Sequence, residues 1–89
     1  MSEARKITNH DEIRHWAEER GGVPVVVKDT EKRGEGAGVL RFDFDGREPS
    51  LEEVDWNTFF ETFERKHLAL LAQDRIDGKI SRFFKFVER

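Results

Sequence analysis

The spacing of apolar residues near the start of the chain predicts an amphipathic helix. Asn9 followed by Glu12 has the form of a capping box, with Asn in place of Ser or Thr. Apolar residues then recur on one narrow stripe, at Ile13, Trp16 and Ala17. We therefore predict a first helix from about residue 10 to residue 20, lying on a core with most of its surface in water.

A second and stronger helical pattern begins at Asp55, a residue type favoured at helix N-caps. The positions that follow at helical spacing carry large apolar side chains: Trp56, Phe59, Phe60 and Phe63. One aromatic face of this kind predicts a helix whose inner side forms much of the core.

The segments after each helix have the patterns of strands. Residues 23–28 are rich in β-branched side chains, and residues 40–44 alternate between apolar and charged ones. A charged, Gly-rich loop at 29–38 separates these two predicted strands. Two further apolar runs, at 67–73 and 80–87, are joined through Asp77-Gly78, a favoured hairpin turn. Each helix is therefore expected to be followed by a β-hairpin.

These elements predict an α+β fold, a four-stranded and mostly antiparallel sheet with two helices on one face, in the order αββαββ. The chain is expected to form a single domain over residues 1–89, with residues 1–8 as a flexible N-terminus. The pattern leaves open whether the last strand pairs with the first hairpin or forms a sheet edge that another chain can join.

The amino-acid composition excludes several kinds of chemical site. The chain of 89 residues has no Cys, which excludes a disulfide framework, a thiolate zinc site and a thiol nucleophile. Charged residues make up 39% of it, but both signs are mixed and the formal net charge is only −3, which is typical of a solvated surface. No apolar stretch resembles a secretory signal or a membrane span, so we predict a cytoplasmic location.

Candidate catalytic and ligand-binding motifs are weak. His10 and His15 are five positions apart and do not share a helix face, which disfavours a metal site. The Gly-rich segment at 34–38 precedes a strand rather than a helix N-terminus, which disfavours a phosphate site. No Gly-x-Ser-x-Gly motif is present. We therefore predict a domain that is not an enzyme and that holds neither a metal nor a cofactor.

A binding domain that acts on another protein is the leading hypothesis. It predicts exposed apolar side chains beyond those that the core uses, with Trp16 and Phe83 as the candidates. The alternative is a nucleic-acid-associated domain, because basic residues flank the first hairpin and interleave with aromatic ones near the C-terminus. Its candidate residues are Lys28, Arg33, Arg41, Arg82 and Lys85. The domain is expected to be a monomer or a weak homodimer without a membrane partner.

Four segments of the chain carry a resemblance to a known family. They are HDEIRHWAEERGG at 10–22, GVLRFDF at 38–44, LEEVDW at 51–56 followed by FF at 59–60, and SRFFKFV at 81–87. In these segments the chain resembles a family of small uncharacterised bacterial proteins, some of which carry the transferred name of 1,4-α-glucan branching enzyme. The catalytic domain of such an enzyme resembles a barrel of several hundred residues, far larger than this chain. The resemblance therefore implies a bacterial cytoplasmic setting and no assigned activity or functional residue.

Overall fold

The computed structural model describes residues 4–27, 40–44, 46 and 50–89. Two helices occur in this part of the chain, α1 at His10–Glu19 and α2 at Trp56–Arg65. The strands are β1 at Arg5–Ile7, β2 at Val23–Val27, β3 at Leu40–Asp43, β4 at Leu51–Glu53, β5 at Leu68–Ala72, β6 at Arg75–Ile76, β7 at Lys79–Ile80 and β8 at Phe84–Glu88. The fold is therefore α+β, as the sequence predicts.

Both helices begin where their caps predict. The Asn9 side chain accepts a hydrogen bond from the backbone N–H of Glu12 at 2.9 Å, and the Asp55 side chain accepts one from Thr58 at 2.7 Å. Each bond satisfies a backbone donor that has no partner inside its helix. Each helix then turns its apolar stripe to the core and leaves its charged residues outside.

The strands form separate sheets, so the prediction of a single four-stranded sheet is wrong. One sheet has the order β1-β5-β8, a second has the order β3-β2-β4, and β6 and β7 pair with each other; all of these pairings are antiparallel. The two predicted hairpins exist, as β2–β3 and β5–β8. They do not join each other, because each takes a short third strand instead.

The short third strand of each larger sheet accounts for the difference between the predicted single sheet and the observed separate sheets. β1 forms within the segment predicted to be a flexible N-terminus and pairs with β5, whereas β4 pairs with β2. In the described part of the chain, β8 pairs with β5 and lies at the edge of its sheet, which answers the question that the sequence left open. The predicted loop at 29–38 lies outside the described residues.

The core lies where the inner faces of the two larger sheets meet both helices. Ile7, Leu70 and Phe86 form one buried row across the first sheet, and Val26 and Leu40 are paired in the second. Phe42 occupies the centre. Its ring lies 5.1–6.2 Å, centroid to centroid, from five other aromatic rings: Trp16, Trp56, Phe59, Phe84 and Phe86. A domain of this size depends on such dense aromatic packing.

Neither helix of the described chain is long and apolar enough to cross a membrane.

Candidate protein-binding hairpin

Trp16 is not a surface residue, in contrast to its predicted role in docking. Only 3% of it is exposed. Its ring packs near Phe42, and its indole N–H donates a hydrogen bond to the backbone carbonyl of Gln73 at 3.2 Å. The stripe on α1 is narrow, but other elements close over it, and Trp16 therefore belongs to the core.

Phe83 is exposed, as predicted, and two isoleucines close to it in sequence share this property. Phe83 is 45% exposed, Ile76 47% and Ile80 54%; they are the exposed large apolar side chains of the described residues. All three fall in residues 75–83, which we call the distal hairpin. Neither isoleucine was predicted to be exposed, because Ile80 falls in the apolar run at 80–87 and Ile76 lies in the connection between the two runs.

The turn of the distal hairpin explains how its isoleucines become exposed. Asp77 and Gly78 have φ values of 53° and 78°, which are the positive values that a type I′ turn requires at both central positions. Across this turn Ile76 is paired with Lys79, and Arg75 with Ile80. Residues paired directly across strands share a face, and neighbours along a strand alternate between faces. Ile76 and Ile80 therefore project from opposite faces of the hairpin.

A change of register separates the distal hairpin from the sheet below it. Ala72 is paired with Phe84 in the sheet, and Arg75 with Ile80 in the hairpin. Three residue steps on one strand thus correspond to four on the other. The extra residue has the character of a β-bulge, which bends a strand and redirects its side chains. Beyond the bulge the hairpin no longer continues the alternation of the core sheet.

The base of the distal hairpin is held by a buried arginine at the end of α1. The Arg20 side chain is only 3% exposed. Its guanidinium donates hydrogen bonds to the carbonyl of Ser81, to that of Asp74 at 2.9 Å and to that of Trp16 at 2.9 Å. It also lies 4.1 Å from the centroid of the Trp16 ring. Burial lowers the pKa of Arg20.

A second arginine holds the same base from β1. Arg5 donates two hydrogen bonds to the Asp74 carboxylate, each at 3.0 Å, and one to Glu12 on α1 at 2.7 Å. These hydrogen bonds raise the pKa of Arg5, and the bonding to Asp74 has the largest effect. Because these groups are half exposed, the pairs add little stability, but their two-pronged geometry fixes the position of Asp74. The hairpin therefore has an exposed tip on a fixed base.

The basic residues of the nucleic-acid alternative fall in different places. Arg82 precedes Phe83 and Lys85 follows two positions after it. The Arg82 guanidinium lies 5.2 Å from the Phe44 ring centroid. Arg41 lies on β3, in the other large sheet. Lys28 and Arg33 lie outside the described residues. The structure thus places Arg82 in the distal hairpin, Lys85 on the adjoining strand β8 and Arg41 in a different sheet.

Little else in the described chain has the arrangement of a chemical site. It contains no group of three or more His, Asp or Glu side chains placed to hold a metal ion. An open depression along α1 is lined by Asp11, Glu12, Arg14, His15 and Glu18. These are exposed side chains, and none is a buried polar group aimed at a ligand.

Comparison of the chain with known protein families, with curated proteins and with solved structures finds no match.

Proposed function

We propose that this domain is a non-catalytic protein-binding module that docks through the distal hairpin. The observation that carries the proposal is the exposure of Ile76, Ile80 and Phe83 within eight consecutive residues. Exposed apolar side chains on one short element favour contact with another apolar surface, since burial there removes them from water. The cytoplasmic location, the monomeric or weakly dimeric state and the family resemblance expected from the sequence stay predictions.

The fixed base supports the same proposal. An isolated two-stranded hairpin is marginally stable in water, and ordering it on binding would cost part of the affinity. Here the hydrogen bonds of Arg20 and Arg5 hold the two ends of the hairpin before any partner arrives. A preorganised apolar element binds with a smaller loss of conformational entropy than a mobile one.

Nucleic-acid binding is the second candidate, favoured by one observation. Phe83 is an exposed ring between Arg82 and Lys85, a combination that can stack on a base while cations contact phosphates. Ile76 and Ile80 have no π-face and so cannot stack on bases. Because two of the three exposed apolar residues suit a protein contact better, we place protein binding first.

A photo-crosslinking experiment tests the proposal. Benzoylphenylalanine replaces Phe83 in the full chain, expressed in the native cells, and in a control protein it replaces Glu61, an exposed residue of α2. We expect a discrete protein adduct at position 83 and none at position 61. The adduct should be lost when Ile76→Ser and Ile80→Ser are added, and it should persist with Arg14→Ser and Glu18→Ser, two exposed positions on α1.

The result that would overturn the proposal is an equal yield with and without the two isoleucine substitutions, or no protein adduct at position 83. Thermal unfolding of each variant verifies that it folds, which we expect because both isoleucines are exposed. In parallel, the purified domain is titrated with single-stranded and duplex oligonucleotides. Salt-sensitive amide shifts at residues 82–85, without any protein adduct, would favour the second candidate.

A further inference from the structure

The distal hairpin and the start of β8 also carry a charge pattern. From residue 75 to residue 85 the chain has four cations and one carboxylate, although its formal net charge is −3. The cations are Arg75, Lys79, Arg82 and Lys85, and the carboxylate is Asp77 at the turn. All five side chains belong to exposed residues. The exposed apolar residues are therefore set in a basic segment of an acidic protein.

Within the described residues, no carboxylate forms an ion pair with these cations. The ion pairs closer than 4 Å in this part of the chain involve Arg5, Arg20, Arg89, His10 and His15. Arg75 donates to the carbonyl of Gly78, which leaves its charge uncompensated. Nearby Asp74, by contrast, is already engaged by Arg5. The basic charge around the isoleucines is thus available to a second molecule.

The cross-strand pairing distributes apolar and basic groups evenly over the hairpin. One face presents Ile76 beside Lys79, and the other presents Ile80 beside Arg75. A flat surface could bury only one isoleucine and contact only one cation. Covering both faces takes a concave partner that receives the hairpin between two walls.

We infer that the partner is a different protein with an apolar cleft whose two rims carry Asp or Glu side chains. This inference rests on the proposed function and adds the chemistry of its partner. The isoleucines enter the cleft, and the carboxylates on either rim pair with Lys79 and Arg75. A second copy of this chain is a poorer fit, because its acidic side chains on α1 lie along an open depression rather than a cleft. Complementary charge of this kind accelerates association and selects the partner.

The test keeps the crosslinker at position 83 and reverses charges. Arg75→Glu with Lys79→Glu forms one variant, and Arg14→Glu with Arg65→Glu, two exposed helix cations, forms a control with the same change in net charge. We expect the adduct yield to fall about tenfold in the first variant, which corresponds to about 1.4 kcal/mol, and to change little in the control. The wild-type yield should also fall as salt is raised above about 0.1 M, where the Debye length is about 10 Å.

Mass spectrometry of the adduct then locates the crosslinked segment of the partner. We expect apolar residues flanked by Asp or Glu, and we expect that Asp→Lys or Glu→Lys changes there restore the adduct with the Arg75→Glu, Lys79→Glu protein. An adduct that needs the isoleucines but ignores both charge reversal and salt would overturn the inference and leave the proposed function standing. An adduct whose yield does not fall when Ile76→Ser and Ile80→Ser are added would overturn both the inference and the proposed function.

Other partners give other results. An adduct between two copies of this chain, seen as a doubled mass, would overturn the inference in favour of self-association. The same charge-reversed and control variants are mixed with phosphatidylglycerol vesicles and with a single-stranded oligonucleotide. Binding to either probe that depends on Arg75 and Lys79, without a protein adduct, would overturn it in favour of an anionic lipid surface or a nucleic acid.

Discussion

Replacing Arg20 with methionine perturbs the base of the distal hairpin and leaves the residues on the hairpin's surface unchanged. Methionine keeps much of the apolar stem and removes the guanidinium. The carbonyl of Ser81 then loses its side-chain donor, which costs about 1–3 kcal/mol for a buried group. The carbonyl of Asp74 loses one donor but keeps the backbone N–H of Ser81 at 3.1 Å. Loss of the contact with the Trp16 ring adds about 1–2 kcal/mol.

One effect opposes these losses. A buried guanidinium gives up its hydration, and the cost is several kcal/mol per ion in proteins. Removing the charge recovers part of that cost, so we expect the free energy of unfolding to fall by about 2 kcal/mol. For a domain of this size, that corresponds to a fall in Tm of about 8–16 °C. Amide exchange in the distal hairpin should accelerate more than exchange in β5, because the lost bonds hold the hairpin's base.

Urea unfolding followed by far-ultraviolet circular dichroism measures the change without relying on Trp16 fluorescence, which the substitution perturbs directly. Arg65→Met, at an exposed position near the end of α2, is the control and should stay within about 0.5 kcal/mol of the wild type. A wild-type free energy of unfolding in Arg20→Met, together with unchanged exchange in residues 75–81, would refute the role assigned to this arginine.

Two further predictions concern the helix ends. Asn9→Ala should lower the free energy of unfolding by about 1 kcal/mol in urea titrations, while Asn9→Asp, which keeps a capping oxygen, should change it little; equal losses would argue against the cap. Hydrogen bonds from His10, which has the larger effect, and from Arg89 hold the pKa of Glu64 below its usual value near 4.5. The stabilising contribution of Glu64 is therefore present above that pH and is lost as pH falls through the lowered pKa. Glu64→Gln should therefore reduce the loss of stability on acidification, and an unchanged pH profile would contradict this cause.

Local signals predicted the helices and turns because those features depend on neighbouring residues. Asn9 and Asp55 cap the helices as expected, and Asp77-Gly78 turns the chain where its sequence indicates. β1 and β4 were missed because each has three residues and one apolar side chain, too few to show a period of two. Their strand structure depends on pairing with β5 and β2, which are distant in sequence. The division into separate sheets follows from those pairings, so hydrophobic periodicity alone could not reveal it.

The candidate site was predicted only in part, for a similar reason. Phe83 was expected to be exposed because it falls outside the apolar alternation of its strand, and it is. Trp16 was expected at the surface, but its burial depends on Gln73 and Arg20 closing around it. Ile80 falls in an apolar run that predicts a strand, and Ile76 lies outside both runs, so neither was predicted to be exposed. They project from opposite faces of a two-stranded hairpin and both are exposed, which depends on pairing that no local pattern shows.

The distal hairpin depends on Arg20 even though that side chain takes no part in its surface. With two residues in each strand, the pairing of β6 with β7 alone would leave the hairpin marginally stable. Bonds from Arg20 to carbonyls on both sides of the hairpin hold its ends at a fixed separation. Arg20→Met should therefore weaken crosslinking at position 83 while every exposed residue of the hairpin is unchanged. An undiminished adduct in a variant whose hairpin amides exchange faster would show that binding requires the apolar and basic side chains but not their preorganisation.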